Sequence, residues 1–321
     1  MKILFAGTPE IAANTLKVLA TDSRFAHFEV AGVLTREDAP VGRKRVMTQS
    51  PVAELAEALG IPVIKANRID AATEYAVATL NCDLAVVIAY GVLLKQATLD
   101  LMPRGWFNLH YSVLPAYRGA APVQRALMAG ERVTGVTLFK LDSGMDSGPI
   151  LNAVQTEIQP GETAGDLLAR LGALGHTLLA ESLPAIASGT AQLHEQDPST
   201  ATFAPKLNRA DGELNPYKTA SDLEYRVRAC NPEPMAYFSN GETTLRVLEA
   251  RALSDSDLST ALDTDQMTVG QVVAAGDLVL VRCADGFLYL LEVQPAGKNR
   301  MNAADWLRGA KQPIFFGAQL D

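Results

Sequence analysis

The stretch DLAVVIAYG, from Asp83 to Gly91, decides the class of fold. Its apolar run, Leu84 to Ile88, shows no alternation with polar residues. A strand of this kind is buried on both faces, which is typical of a central strand in a parallel sheet that helices cover on both sides. The stretch therefore predicts an α/β sheet with this strand near its middle.

On either side of this stretch, short apolar runs alternate with segments of helical spacing. Ser50 to Gly60, SPVAELAEALG, is one such helix, with a serine as N-cap, a proline at the first position and a glycine at the end. The alternation predicts a doubly wound, Rossmann-like parallel sheet that binds ligands at the carboxyl ends of its strands. The other predicted strands are KILFAG (2–7), FEVAGVLT (28–35), PVIK (62–65), WFNLHYS (106–112), VTGVTLFKL (133–141) and PILNAVQTEI (149–158).

A change of composition marks the end of this domain. A helical stretch at 164–188 closes the first domain, 1–189, and a polar segment with prolines, 190–206, is interpreted as a linker. Short strand-like runs then predict a smaller OB-like β-barrel over 207–321. In its run CADGFLYL, Cys283 to Leu290, Asp-Gly supplies the positive φ that a tight hairpin turn needs.

Composition limits the function classes. The 321 residues are 48% hydrophobic and 20% charged, as expected of a globular protein with two domains. The net charge of -8 gives no general attraction for nucleic acid, so any such binding must use a local patch. Three widely spaced cysteines fit no metal-binding or redox spacing. The sequence shows no signal peptide and no apolar run that could span a bilayer, so we expect a cytoplasmic protein that does not bind membranes. We also expect a monomer.

The stretch NLHYSVLPAYRGAAP, 108–122, places polar groups at alternate positions of a predicted strand. Asn108, His110 and Ser112 therefore project to one side, near the carboxyl end where α/β sheets bind ligands. The alternative is an edge strand with a solvated polar face. In the same way, AYG at 89–91 ends the central strand either as an ordinary tight turn or as a place where a ligand ring approaches the backbone.

Two acids follow in KLDSGMDSGPI, Lys140 to Ile150. Asp142 and Asp146 are turn formers in one interpretation. In the other, because the loop follows a strand, it opens at the same end of the sheet as His110, where a carboxylate can orient the imidazole or take a proton. An amide, an imidazole and a carboxylate together suit acyl transfer without a metal, since donors hold the oxygen that becomes negative and a base deprotonates the attacking amine.

Competing chemistries have weaker support. AGTPE, after the first strand, holds one glycine and lacks the G-x-G-x-x-G of nicotinamide-binding proteins. The sequence contains no G-x-x-x-x-G-K-[ST] and no H-E-x-x-H, and its four histidines are too scattered to suggest a metal cluster. We therefore predict no metal.

NLHYSVLPAYRGAAPVQRAL (108–127) with DSGMDSGPI downstream resembles the folate-dependent formyltransferases. In that family an Asn-x-His pair ends a strand, a Ser-Leu-Leu-Pro-type turn follows, and a catalytic aspartate comes later. His110 and Asp146 are separated by 36 positions, which matches the family's spacing. This chain departs from the pattern with Val113 in the turn and with Tyr111, where a smaller residue is expected.

The resemblance implies a catalytic trio of Asn108, His110 and Asp146 and a folate site that includes the turn Ser112, Val113, Leu114 and Pro115, with Ala89, Tyr90 and Gly91 nearby. The formyl donor would be 10-formyltetrahydrofolate as co-substrate. Further stretches resemble the members that formylate the methionyl group of initiator tRNA. They are ILFAGTPEIAANTL (3–16), VVIAYGVLL (86–94), RGAAPVQRALMAGERVTGVTLFKLDSGMDSG (118–148), NPEPMAYF (231–238) and LEVQPAGKNRM (291–301).

The long connection TREDAPVGRKRVMTQSP, 35–51, bears on the acceptor. It carries four basic residues against two acidic ones, and within the family a basic loop here resembles the element that enters the acceptor end of the tRNA. We therefore predict that Arg43, Lys44 and Arg45 bind tRNA. A solvated charged loop is the alternative. The second domain offers less electrostatic support, with 12 basic and 16 acidic residues from Lys206 to Asp321.

Two other hypotheses stay open on sequence grounds. A sugar-nucleotide N-formyltransferase would share the trio but would not need the basic loop. A non-catalytic RNA-binding protein with an OB-like module would have no reason to keep the trio.

Overall fold

The computed structural model describes residues 1–42, 44–241, 243–258, 267–311 and 313–317. The chain divides into two compact units. The first unit comprises Met1–Pro122, Val133–Glu157 and Leu168–Pro205, and the second comprises Val123–Arg132, Ile158–Leu167 and Lys206–Asp321. Segments 123–132 and 158–167 thus pack with the second unit, although they lie within the predicted first domain.

The first unit is built on a seven-stranded sheet. Its strands are β1 (Lys2–Gly7), β2 (Glu29–Thr35), β5 (Val63–Lys65), β6 (Leu84–Ile88), β7 (Trp106–His110), β8 (Val133–Lys140) and β9 (Ile150–Glu157). Their order is β5-β2-β1-β6-β7-β8-β9, and the five strands from β5 to β7 are parallel. Every residue of β6 is buried, as its apolar run predicted. The predicted doubly wound, Rossmann-like fold is confirmed.

Helices of the expected kind connect these strands. Ser50 caps one of them by accepting a hydrogen bond from Ala53 N at 3.0 Å, with Pro51 at the first helical position, as predicted. The connecting helices are α1 (Glu10–Thr21), α2 (Pro51–Ala58), α3 (Ala71–Thr79), α4 (Gln96–Leu99) and α5 (Pro122–Met128). Helix α6 (Ala164–Ser188) follows β9, and the second unit contains α7 (Ala220–Ala229), α8 (Asp255–Leu258) and α9 (Ala303–Arg308). In the described part of the chain, none of them is long and apolar enough to cross a membrane.

The sheet reverses direction at β8. Strand β8 runs antiparallel to β7, with His110 opposite Thr137 and Phe107 opposite Lys140, and β9 is antiparallel to β8. The loop after β8 therefore leaves the sheet beside Phe107, roughly 10 Å along β7 from His110. The prediction that this loop opens at the same end of the sheet as His110 was wrong, because it assumed a parallel strand.

The chain order also creates a crevice between β1 and β6. From β1 the chain builds outward through β2 and β5, and it then returns to place β6 on the other side of β1. Open α/β sheets bind ligands beyond the carboxyl ends of the strands at such a reversal. The two strands approach closely here, since a Cβ on Gly7 would lie 2.9 Å from the carbonyl oxygen of Ile88.

The second unit contains the antiparallel strands expected of an OB-like barrel. They are β10 (Ala236–Ser239), β11 (Thr244–Leu253), β12 (Gln271–Ala275), β13 (Leu278–Arg282), β14 (Phe287–Pro295), β15 (Met301–Asn302) and β16 (Ile314–Phe315). The order is β10-β11-β14-β13-β12-β16, with β15 beside β14. The sheet curls, because Phe238 stacks on Phe316 at 4.6 Å between ring centroids and Gly317 N donates to Ser239 O at 3.4 Å, which joins the two ends of the path.

The predicted hairpin in the second unit is present. Arg282 pairs with Phe287 across it, and Cys283 N donates to Gly286 O at 2.8 Å. Thr219 caps α7, since its side chain accepts from Asp222 N. A core of about twenty buried residues lies beneath the sheet and α7, among them Leu223, Val247 and Leu290.

Candidate active site

Asn108 and His110 occupy alternate positions at the end of β7 and share one face of the sheet. His110 is only 6% exposed. The Oδ1 atom of Asn108 is buried and has no hydrogen-bond partner in the described part of the chain. A buried amide oxygen without a partner costs stability, by about 1–3 kcal/mol. Such a group at the end of a strand is expected where a ligand completes the hydrogen bonding.

The two ring nitrogens of His110 have different neighbours. Its Nε2 lies 2.9 Å from the carbonyl oxygen of Tyr117, so Nε2 carries the proton that this bond needs. Its Nδ1 lies 3.8 Å from Asp146 Oδ2. Burial lowers the pKa of His110, although the charge of Asp146 and the bond to Tyr117 oppose this shift. The neutral ring therefore presents Nδ1 as a proton acceptor that faces the carboxylate of Asp146.

Asp146 meets His110 because its loop folds back along the sheet. Its Oδ2 accepts a hydrogen bond from Gly119 N at 2.7 Å, and its side chain is 17% exposed. Its backbone is left-handed, with φ of 49°. This conformation costs most residues roughly 1–2 kcal/mol, and aspartate is one of the few side chains that tolerate it. Here it aims the carboxylate at the imidazole.

Asp142 has a different role from Asp146. Its Oδ1 accepts from Gly144 N and from Ser147 Oγ, each at 2.9 Å, and its Oδ2 lies 3.0 Å from the same hydroxyl. This carboxylate closes its own loop, as the turn-former interpretation expected. Of the two acids in DSGMDSG, Asp146 is thus the one that lies beside His110.

The turn after β7 is held by buried hydroxyl groups. Ser112 Oγ donates to Ala116 O at 2.6 Å, so this hydroxyl closes the turn. Thr137 Oγ1 donates to Ser112 O at 2.7 Å and accepts from Leu114 N at 3.1 Å. Leu114 is buried, whereas Val113 and Pro115 are partly exposed, and the Leu114–Pro115 peptide is cis. The strand itself ends at His110, so Ser112 belongs to the turn rather than to the strand face.

The stretch 89–91 lies at the crevice between β1 and β6. Ala89 and Gly91 both have positive φ, at 47° and 80°, and both are exposed. Tyr90 is buried between them, where its hydroxyl donates to Ala66 O at 2.9 Å and its carbonyl accepts from Thr8 Oγ1 at 3.1 Å. The buried tyrosine anchors the turn and leaves two small residues at the surface of the crevice.

The predicted basic loop forms an exposed two-stranded hairpin, β3 (Ala39–Val41) with β4 (Val46–Thr48). Lys44 and Arg45 are exposed at its tip, and Arg43 lies outside the described residues. At its base, Lys65 Nζ contacts Asp38 Oδ1 at 2.8 Å and Gln49 Oε1 at 3.2 Å. One lysine thus links both ends of the hairpin and neutralises an acid there.

Sequence reasoning missed the residues that hold the site together. Arg118 is buried and donates to Gln196 Oε1 from Nε at 3.1 Å and from a terminal nitrogen at 2.7 Å. Gln196 Nε2 donates to the carbonyl oxygens of Asp146 and Gly148. Gln196 belongs to the segment interpreted as a linker, which packs within the first unit. The prolines and polar residues of that segment hid its role, and HEQD offers no pattern that would have revealed it.

The described residues contain no group of three or more His, Cys, Asp or Glu side chains that could hold a metal ion. Burial raises the pKa of Cys82 and Cys230 to about 11 and that of Cys283 to about 12. These thiols are buried and inert rather than nucleophilic.

Comparisons with known proteins agree with this geometry. Residues 1–183 match the family model described as Formyl transferase, and residues 206–311 match the Formyl transferase C-terminal domain. The methionyl-tRNA formyltransferase of Leifsonia xyli subsp. xyli is 44% identical over 97% of this chain and 98% of its own length. That of Renibacterium salmoninarum is 42% identical over 96% of each chain.

A solved structure shares the fold. The N-formyltransferase from Helicobacter canadensis, in complex with folinic acid and dTDP-3-aminofucose, superimposes with a TM-score of 0.65 over 92% of this chain and 99% of that one. The two sequences are 20% identical, so this similarity concerns the fold alone.

Proposed function

The chain belongs to the formyl transferase family, and from this premise we propose that it transfers the formyl group of 10-formyltetrahydrofolate to the α-amine of methionine on initiator methionyl-tRNA, giving formylmethionyl-tRNA for translation initiation. The family predicted from the sequence is confirmed. Support for this acceptor comes from relatives named methionyl-tRNA formyltransferase that match the chain over nearly its whole length. The observation that carries the chemistry is the approach of His110 Nδ1 to Asp146 Oδ2 at 3.8 Å, with the unpartnered Oδ1 of Asn108 on the same face of the strand as His110.

In the reaction, a bond forms between the methionyl nitrogen and the formyl carbon, and the bond from that carbon to the folate nitrogen breaks. The amine loses a proton and the folate nitrogen gains one. The protein must therefore hold the formyl oxygen as its charge grows, and it must accept and return a proton.

Asn108 is suited to the first task. The Nδ2 group of its side chain is a hydrogen-bond donor at the end of β7, and a donor fixed there in advance stabilises a developing negative charge without reorganisation. The amide also fits this reaction on its other side, because its unpartnered Oδ1 can accept a hydrogen bond from the attacking amine, while its Nδ2 can donate to the formyl oxygen.

The proton route runs through Asp146 and His110. Asp146 is the base that accepts the amine's proton, because its carboxylate faces the site from a loop. The Nε2 proton of His110 is committed to the Tyr117 carbonyl, so the neutral ring has no proton at Nδ1. His110 therefore donates to the formyl oxygen or to the leaving nitrogen only after Nδ1 has gained a proton, and the proton that Asp146 collects is its source.

The folate is held by two backbone turns near these groups. The turn Ser112, Val113, Leu114 and Pro115 gives an apolar wall that Thr137 keeps rigid. Ala89, Tyr90 and Gly91 give a flat surface in the crevice, with small residues at positions where a ring can approach the backbone.

The hairpin tip contacts tRNA phosphates, with Lys44, Arg45 and Arg43 as the cationic group. Its base is fixed by Lys65, which keeps the tip in reach of solvent rather than folded onto the unit. We assign the catalytic role to residues 1–189 and a tRNA contact to residues 207–321, and we expect the enzyme to act as a cytoplasmic monomer. Its three buried, free cysteines suit a reducing compartment.

A competition between acceptors tests this proposal. Purified protein with 10-formyltetrahydrofolate is offered initiator methionyl-tRNA or a dTDP- or UDP-linked amino sugar, and each product is identified by mass spectrometry. We expect formylmethionine after release from the tRNA and no formylated sugar. Formylation of the sugar alone would make the chain a sugar-nucleotide N-formyltransferase, and tRNA binding without turnover would make it a binding protein.

A further inference from the structure

Gln196 lies where it can set the position of Asp146. Its Nε2 donates to Asp146 O at 2.9 Å and to Gly148 O at 2.7 Å, so it grips the backbone on both sides of Ser147. Gln196 follows Asp146 by 50 residues in the sequence.

The orientation of this amide is fully determined. Its oxygen faces the guanidinium of Arg118, which can only donate, and its nitrogen faces two carbonyl oxygens, which can only accept. Both hydrogens of Nε2 and both acceptor positions of Oε1 are used. A reversed amide would face donors with donors and acceptors with acceptors.

Arg118 and Gln196, which we call the clamp, are connected to the rest of the site through the neighbours of Arg118. This arginine stands between Tyr117, whose carbonyl fixes His110, and Gly119, whose N–H donates to the Asp146 carboxylate. The consecutive residues Tyr117, Arg118 and Gly119 thus contact the imidazole of His110, the amide of Gln196 and the carboxylate of Asp146, respectively. The segment that carries Gln196 is anchored as well, since His194 and Ile150 exchange two backbone bonds of 2.8 Å, and Arg118 pairs with Thr202 and Ala204.

The clamp acts on a residue in the left-handed backbone region, which aspartate tolerates but does not prefer. Asp146 has φ of 49°, and its loop approaches His110 from the far end of an antiparallel strand. Without an external hold, this backbone has no local reason to keep the carboxylate at the imidazole.

We propose that Gln196, oriented by Arg118, is a positioning residue that holds Asp146 in register with His110 for proton transfer. This inference rests on the proposed formyl transfer, and it adds to that reaction a residue outside the catalytic trio.

Gln196→Glu is the sharpest test. It keeps the size of the side chain and the acceptor for Arg118, but it replaces the two N–H donors with an oxygen that faces two carbonyls. We expect kcat to fall about 10- to 100-fold while KM for methionyl-tRNA and for 10-formyltetrahydrofolate changes less than about threefold, because the side chain of Gln196 spends its hydrogen bonds on protein groups. Gln196→Ala should fall into the same range. Arg118→Lys, which retains one donor, should lose less. Glu195→Ala, at the exposed neighbouring position, is the matched control and should behave as the parent.

A double-mutant cycle separates positioning from a general effect on the fold. In an Asp146→Asn background, measured by single turnover, Gln196→Glu should cost less than about twofold, because the group that it positions has been removed. A loss equal to that in the parent background, or a kcat of Gln196→Glu within twofold of the parent, would overturn the proposal.

The ring nitrogens of His110 give a reading that needs no substrate. In ¹⁵N-labelled protein, Gln196→Glu should shift the Nδ1 resonance of His110 more than the Nε2 resonance, since Nε2 stays on Tyr117. Were the parent unable to formylate methionyl-tRNA, this shift would uphold the positioning while the proposed function failed. Unchanged ring resonances would refute the positioning even in an active enzyme.

Discussion

His110 Nδ1 lies 3.8 Å from Asp146 Oδ2, although the strand before Asp146 runs antiparallel to the one that carries His110. The proximity is made by a loop that folds back along the sheet, and Gly119 N holds the carboxylate at 2.7 Å. The pair is therefore a product of tertiary contacts rather than of strand order. In this geometry His110 and Asp146 act on protons, whereas Asp142 only closes the loop. Substitution of each residue tests this division.

Asn108→Ala should lower kcat by roughly 10²- to 10³-fold, because it removes a donor to the charge that develops on the formyl oxygen. The free energy of unfolding should stay within about 1 kcal/mol of the parent or rise, since the buried Oδ1 atom has no partner to lose. Turnover of formyl transfer and thermal unfolding are the measurements. Asn152→Ala, at an exposed position of β9, is the control. Near-parental turnover would remove Asn108 from the mechanism.

The two acids of DSGMDSG should respond in opposite ways. Asp146→Asn should lose most of kcat with little change in thermal stability, because the amide still accepts from Gly119 N but cannot take a proton. Asp142→Asn should weaken the bonds to Gly144 N and Ser147 Oγ, lowering stability by about 1 kcal/mol with a smaller loss of rate. Kinetics and calorimetry on both variants decide the matter. A crippled Asp142→Asn beside a mild Asp146→Asn would reverse the assignment.

Much of this site could be predicted from the sequence because its signals are local. The unbroken apolar run of β6 and the alternation around Asn108 reflect burial and strand geometry, which depend on neighbouring residues. The direction of β8 could not be predicted in this way, since this strand is buried at six consecutive positions, as a parallel strand would be, although it pairs antiparallel. The clamp of Arg118 and Gln196 was also hidden. It joins positions 78 residues apart through two side-chain hydrogen bonds, which impose no periodicity on the sequence.

Stability should fall in mild acid. Burial lowers the pKa of His110 and of His176 in the folded protein, so the unfolded chain binds protons that the folded chain does not. Stability from this source is complete above the unfolded pKa of about 6.5 and is lost as the pH falls from there toward the folded values. The slope reaches about 1.4 kcal/mol per pH unit for each histidine.

Urea unfolding from pH 8 to 5 measures this loss. His110→Gln and His176→Gln should each flatten the dependence, because a glutamine takes up no proton. His27→Gln, at an exposed position of the first unit, is the matched control. A pH dependence that both variants leave unchanged would mean that other groups cause the acid loss.

The hairpin tip should govern how the enzyme holds a polyanion despite its net charge of -8. Charges further than about 8 Å from a phosphate are screened at physiological salt, so the nearest cations matter more than the total. Lys44→Ala or Arg45→Ala should raise KM for methionyl-tRNA and leave KM for the folate nearly unchanged. Each lost phosphate contact should also reduce the salt dependence of binding, by roughly 0.7–0.9 log units per log unit of salt.

The triple change that includes Arg43 should be the weakest binder and the least salt-sensitive. Lys17→Ala removes the same charge from the exposed face of α1 and should leave both slopes intact. If the triple variant used tRNA as well as the parent at every salt concentration, the hairpin would be a solvated connection.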